Sequence, residues 1–468
     1  MKFSKRLIAT ALAALVLPAA AARAETTVLK NFTLIDGTGR RPVSGAAMVI
    51  QDGRVQWVGP AAKLKVPSGA QALDLGGKYV IPGLIDDHVH LALVNGLKQD
   101  LRYYTRQNLD AQLKIYAAYG ITSVQVLGTD KDMIYDLVRE QHARQPAEAR
   151  VFTAGRGVVF QGSYGGIAGL PQSVSTPDEA RRMVDRQVAN GADLIKLWMD
   201  DELGTIKVRM PYAVSKAVID EGHKHHLKVV AHVFYLDNAK ELVREGIDGF
   251  AHEVRDQPVD QALVDGMKAR GTWQMAATLS REASFIYSRL PFLNDPFFSR
   301  GVTPDVLAEL ASPARQQKLA GGPHFKQYGP IFDRAMANFR NEAAAGVKYG
   351  MGTDSGPTGR FPGYFAHWEM QLMVRAGLTP MQALTAATRD NAVFMGAKDL
   401  GTLEPGKQAD LVVLDKDPLA DIANTRTIRA VYIAGRAAPT IWSTCVGRPA
   451  TACTGGPDTA PVMSGGVK

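Results

Sequence analysis

The chain has 468 residues, 46% hydrophobic and 21% charged. This is ordinary globular usage and excludes a disordered or collagen-like polymer. The formal charge is +8, and removal of Lys2, Lys5, Arg6 and Arg23 with an N-terminal signal would leave +4; with no Lys/Arg block and no basic stripe interleaved with aromatics, a nucleic-acid partner is not expected.

Residues 1–24 read as a secretory signal: a basic start through Arg6, an apolar run from Leu7 to Leu17, then Pro18 and the small-residue site Ala22-Arg23-Ala24. The run falls short of the roughly 20 residues that span a bilayer, so no membrane span is expected after cleavage, and the mature protein is expected in the periplasm. Residues 25–79 alternate apolar and polar around turns at Asp36-Gly37 and Asp52-Gly53, which predicts short strands at 28–34, 47–50 and 55–58. The pattern returns at 409–414 and 430–433. Residues 25–79 and 395–440 are therefore expected to complete one small β-sandwich domain from both chain ends.

Between them, over 80–394, short apolar strands alternate with helical stretches. The expected strands are 83–87, 122–127, 151–154, 193–198, 228–233, 249–251, 272–278 and 348–352. Eight βα units predict an α/β fold, a (β/α)8 TIM barrel. One helix is legible in detail, with Asp237 as its cap, Leu242 and Val243 as contacts and Gly246 at its end. The stretch 280–341 is long for a βα connection and reads as a lid or binding insertion. Residues 441–468 read as a flexible tail holding both cysteines, Cys445 and Cys453, for which an exported compartment permits a disulfide. A thiolate metal site is thereby excluded, and any metal must be held by His, Asp, Glu or Lys.

His88 and His90 follow an apolar strand, and residues two apart share a strand face, so both imidazoles can reach one ion. His232 and His252 end two later strands and Asp354 follows another. In a barrel all these ends meet at one mouth, and spacings of 142, 20 and 102 residues are natural βα distances. Lys196 stands inside the strand Leu194-Ile195-Lys196-Leu197-Trp198, where burial lowers an amine's pKa. A neutral amine can add carbon dioxide to form a carbamate able to bridge two cations. Each residue alone has a commonplace structural explanation; the set does not.

Together these residues resemble the amidohydrolase superfamily, in its imidazolonepropionase-like and prolidase-like branch with binuclear metal sites. The resemblance covers nearly all of the mature chain and includes Ile81-Pro82-Gly83-Leu84-Ile85-Asp86, Gly120-Ile121-Thr122-Ser123, Gly191-Ala192-Asp193, Gly401-Thr402-Leu403-Glu404-Pro405-Gly406-Lys407 and Ala409-Asp410-Leu411. It implies that His88, His90 and Asp354 hold the more buried ion, that His232 and His252 hold the more exposed one, and that carboxylated Lys196 bridges them. A bridging hydroxide then attacks an amide-type C–N bond in a peptide, N-acyl amino acid or related amide, with Asp354 as proton shuttle. Zinc suits these donors, while Mn, Fe, Co or Ni can occupy them too. Lactone, ester or phosphotriester cleavage on the same ions is the nearest alternative, followed by a barrel that only binds.

Tyr164 in a Gly-rich loop, Arg255 near the rim and His324 in the insertion are the candidate substrate contacts. His324 shares that insertion with Arg281, Tyr287, Arg289, Lys326 and Tyr328, for all of which a solvated loop is the default. Dipeptidase-like relatives carry a histidine after the Gly-Gly pair of the Tyr164 loop. Here the residue is Ile167, which argues against dipeptide-carboxylate recognition there. A small-molecule amide is the expected partner, with homo-oligomerisation left open.

Overall fold

The computed structural model describes residues 26–438 apart from 168 and 202. The expected signal (1–24) and the tail (441–468), with Cys445 and Cys453, lie outside them. The protein is α/β, a (β/α)8 barrel flanked by a small β domain built from both chain ends.

Six barrel strands are regular: Leu84–Val89, Ile121–Val126, Arg150–Thr153, Ile195–Trp198, Val229–His232 and Gly249–Phe250. Neighbours run parallel, and Asp193 N donating to Thr153 O (2.8 Å) links the third to the fourth. The last two expected strands, 272–278 and 348–352, do not form as regular strands. Isolated parallel bridges Gly249–Trp273 and Gln274–Tyr349 take their place, and Asp87 N donating to Met351 O (3.0 Å) closes the ring. The seam is thin because a side chain substitutes for the ladder there. Asn391 Nδ2 donates to Ile85 O (2.8 Å) and Met351 O (2.7 Å), and Asn391 Oδ1 accepts from Met351 N (2.9 Å), so the buried backbone groups stay satisfied.

The end domain is one eight-stranded sheet enclosing its own apolar cluster of Leu29, Phe32, Met48, Val413 and Tyr432. Tyr79–Pro82 pairs parallel with Thr26–Leu34 and antiparallel with Leu411–Leu414. A barrel beginning at 80 is therefore corrected: that strand belongs to the end sheet, and the barrel starts at Leu84. Two further strands were not expected: Val158–Phe160 lies beside Ile195–Trp198, and Gln172–Val174 pairs with the other side of Val158–Phe160. The helix expected after the fifth barrel strand is Leu236–Glu245. It ends at Gly246 (φ 99°), but Tyr235 occupies the cap and Asp237 lies in the first turn. The long insertion is helical, and its Phe325–Ala344 packs against Leu279–Phe285. Among the described residues no helix is long and apolar enough to cross a membrane.

Candidate metal centre

The histidines and Asp354 sit at the carboxyl ends of barrel strands or just beyond them, Lys196 lies inside Ile195–Trp198, and parallel strands bring those ends to one rim. All six are buried; His90, the most accessible, is 7% exposed. The rings of His88 and His252 lie 4.9 Å apart, those of His232 and His252 4.2 Å, and those of His88 and His90 5.2 Å. One ligand atom each from His88, His252 and Asp354 fall within 4.8 Å of one another. Asp354 is held at φ 55°, a backbone region disfavoured for a residue with a Cβ. Its Oδ1 lies 2.8 Å from His90 Nε2 and 3.6 Å from His88 Nε2.

Three of the histidines are oriented through Nδ1. His88 Nδ1 lies 2.9 Å from Ala251 O, and since a carbonyl only accepts, that nitrogen carries the proton and Nε2 is left as a donor of electrons. His90 Nδ1 meets Thr129 Oγ1 at 2.6 Å and His252 Nδ1 meets Thr278 Oγ1 at 2.9 Å. Such outer contacts are what fix ring orientation in metal sites. Burial pushes the His88 and His252 pKa values well below the ordinary histidine range and also lowers that of His90, so their imidazoles are neutral near pH 7. His232 differs. Its Nε2 lies 2.7 Å from Asp200 Oδ2, and burial takes its pKa down to about 4 despite that carboxylate.

Lys196 is 1% exposed, and its Nζ has no hydrogen-bond partner. Burial lowers its pKa to about 7, against the opposing pull of Asp354 and Asp200. Space for it comes from Gly128, where a Cβ would lie 2.9 Å from Lys196 Cγ and 2.7 Å from the Trp198 ring. A buried amine left unbonded carries a desolvation cost, which capture of a partner would remove. Four neutral imidazoles, this amine and Asp354 are a donor set suited to divalent cations. They line a cavity of 70 Å³ together with Tyr164, Ile167, Arg281 and Arg360.

The expected substrate contacts divide. Tyr164 stands over the site, its ring 5.4 Å from that of His232. Arg255 borders an adjoining cavity of 160 Å³, but its guanidinium is tied down, with Nε 3.1 Å from Glu282 Oε1 and Nη1 donating to Val233 O and Glu253 O. His324 lines neither cavity and sits 3.1 Å from Gln327 Oε1 at a helix start. Within the same insertion, Arg281 and Tyr328 are not solvated loop residues as expected; both face the cavities, because their helices pack across the barrel mouth. Arg360 and Asp200 escaped the sequence reading, although each lies within six residues of a predicted ligand. Thr129 and Thr278 gave no comparable signal.

A parallel barrel with imidazoles and a buried lysine gathered at the carboxyl-side rim is the architecture of a metal-dependent hydrolase. Residues 79–438 match the amidohydrolase family, and the chain belongs to it, in the imidazolonepropionase-like and prolidase-like branch. It is therefore a hydrolase from a family that binds divalent metals. The chain is 25% identical over 429 residues to imidazolonepropionase of Deinococcus radiodurans, covering 84% of this chain and 92% of that one. It is 25% identical over 452 residues to ochratoxinase of Aspergillus niger, covering 87% and 85%. Among solved structures, a Xaa-Pro dipeptidase with methionine in its active site superposes with a TM-score of 0.69 at 22% identity, covering 88% of this chain and 99% of that one.

Proposed function

We propose that the mature chain is an exported enzyme that holds two divalent cations and hydrolyses an amide-type bond of a small-molecule substrate. The observation that carries this reading is the unpartnered Lys196 amine, buried among four histidines and Asp354. His88, His90 and Asp354 would hold one cation and His232 and His252 the other, with Lys196, carboxylated by carbon dioxide, joining them. The cations, zinc by donor preference, supply Lewis-acid activation of water and of the amide carbonyl. The chain's own part is to fix the His88 tautomer through the Ala251 carbonyl, to orient His90 and His252 through Thr129 and Thr278, to exclude bulk water beneath the insertion, and to move a proton through the Asp354 carboxylate toward the leaving nitrogen. The names imidazolonepropionase, ochratoxinase and Xaa-Pro dipeptidase, all hydrolases of C–N bonds, support the choice of bond.

Metal analysis of the purified mature chain tests this together with a panel of amides, lactones and phosphotriesters. About two equivalents of metal with amide turnover is expected. Metal-free protein that cleaves none of them points to a binding barrel, and efficient lactone or phosphotriester cleavage with every amide left intact overturns the choice of bond. Export is tested separately by N-terminal sequencing, with Glu25 expected as the first residue of the exported form.

A further inference from the structure

The four imidazoles are not held alike. His88, His90 and His252 each set Nδ1 against an uncharged partner, the Ala251 carbonyl or the hydroxyl of Thr129 or Thr278. His232 is turned the other way, with Nε2 2.7 Å from Asp200 Oδ2. A ligating imidazole is neutral with a single N–H, and a carboxylate only accepts, so that proton sits on Nε2 and Nδ1 is left as the donor of electrons. Asp200 is 1% exposed, and the loop after Ile195–Trp198 holds it in place. The anchor is the next residue. Asp201 Oδ1 accepts from Tyr235 Oη (2.8 Å) and Gly204 N (2.8 Å), Asp201 Oδ2 from Arg209 Nε (2.6 Å), and Asp201 O from Ile206 N (3.0 Å). The Arg209 guanidinium lies 4.0 Å from the centre of the Tyr235 ring, and Met199 N donates to His232 O (3.2 Å), so the loop and the histidine strand are tied at both ends of Asp200.

The charges divide in the same way. Three carboxylates line the two cavities at the mouth: Asp354, Asp200 and Glu282. Glu282 meets Arg255 and Arg281, which leaves Asp354 beside His88 and His90, and Asp200 beside His232. We propose that Asp200 is the positioning residue for the second cation, acting through His232: it fixes that ring with Nδ1 toward the ion and supplies the negative charge that His232 and His252 do not carry. This rests on the two-cation reading above. Asp354 serves the first cation by contact and Asp200 serves the second at one remove, so each has a carboxylate of its own. A hydrogen bond to an ionised group is about twice as strong as a neutral one, and an anionic partner makes the ring a better donor of electrons. The Asp200 contact therefore counts for more than the hydroxyl contacts at His90 and His252.

Chelator competition on the zinc-loaded protein tests this, with release of each equivalent followed separately. The wild type is expected to release two equivalents in two steps. Asp200→Ala should weaken one step by about 100-fold, the upper end for loss of an outer contact, and leave the other unmoved. Asp200→Asn keeps an accepting oxygen but removes the charge, and should weaken the same step by about 10-fold. Asp200→Glu should recover part of what the alanine loses. Arg209→Met, at a side chain 43% exposed, cuts the loop anchor without opening the core and should move that same step by less, which keeps the test decisive if a change at Asp200 prevents folding. In cobalt-substituted protein the visible absorption of the weaker ion alone should shift in Asp200→Asn. Both steps unmoved in every variant, or both weakened equally, overturns the role of Asp200 while leaving the hydrolase reading intact. Wild-type protein that takes up fewer than two equivalents overturns the two-cation reading itself.

Discussion

Two clusters among the described residues bring imidazole and carboxylate groups equally close: His88, His252 and Asp354 at the barrel mouth, and Asp185, Glu221 and His225 on the outer helices Pro177–Asn190 and Tyr212–Lys224 and the cap that follows. In the outer cluster the charges are already matched, with His225 Nε2 2.7 Å from Asp185 Oδ1 and Lys224 donating to Glu221 at 2.6 Å. Water reaches it and screens what remains. At the mouth every group is buried, the imidazoles are held neutral, and an amine lies idle beside them. Proximity of ligand types is therefore a poor guide, and unspent donor capacity in a dry place is a better one.

The largest expected contrast comes from Lys196. Lys196→Met should strip the metal and reduce turnover by more than about 100-fold, beyond the 10- to 100-fold typical of a lost outer contact; full metal content and unchanged kcat would place the two clusters on one footing. The same variant has a pH signature without metal. The folded-state pKa of Lys196 is about 7 against an ordinary value near 10.5, so between those values the native state binds fewer protons than the unfolded one. Stability contributed by that difference rises with pH across the window, and below about 7 the full penalty applies. Metal-free Lys196→Met should therefore gain more over wild type at pH 6 than at pH 9, by about 3 kcal/mol. Denaturant titrations at the two pH values check this, and an equal gain at both would mean the amine is not depressed.

A smaller effect is expected one layer out. Thr278→Val removes the oxygen facing His252 Nδ1 and should weaken metal affinity roughly 10- to 100-fold with the fold intact, read by competition with a chelator. Least of all should follow at the outer cluster. Asp185→Asn is expected to leave metal content and turnover unchanged and to alter stability by less than about 1 kcal/mol, as for other exposed ion pairs. Loss of a bound equivalent in that variant would erase the distinction between the two sites.

Much of this was legible because barrels turn sequence order into spatial order. Apolar runs marked the strands, polar residues at their carboxyl ends had to meet once the ring closed, and a lysine inside one apolar run stood out, which is how His88, His90, Lys196, His232, His252 and Asp354 could be named together. The sequence was less informative where side chains substitute for backbone. Asn391 stitches the seam at Met351, so the last strands are shorter than their apolar runs suggest. Tyr79–Pro82 reads as barrel by continuity with Leu84–Val89, yet its hydrogen bonds go to strands near both termini. Arg281 was misjudged because an insertion without strand periodicity says nothing about which way its helices fold. Arg360 and Asp200 stood near predicted ligands, but only packing shows which way a rim side chain turns.

The end sheet places the third-last strand beside one from the first hundred residues, with Leu411–Leu414 hydrogen-bonded to Tyr79–Pro82 across more than 300 positions. A polypeptide emerging amino end first cannot finish that domain until nearly all of it has been delivered. Until then Val80 and Ile81 lack their partner on the Leu411–Leu414 side, and the strand leading into Leu84–Val89 is held only by its pairing with Thr26–Leu34. Assembly of the histidine cluster is thereby coupled to arrival of the distal segment, and a truncation that removes residues from 411 onward should forfeit the cluster although none of its residues is lost.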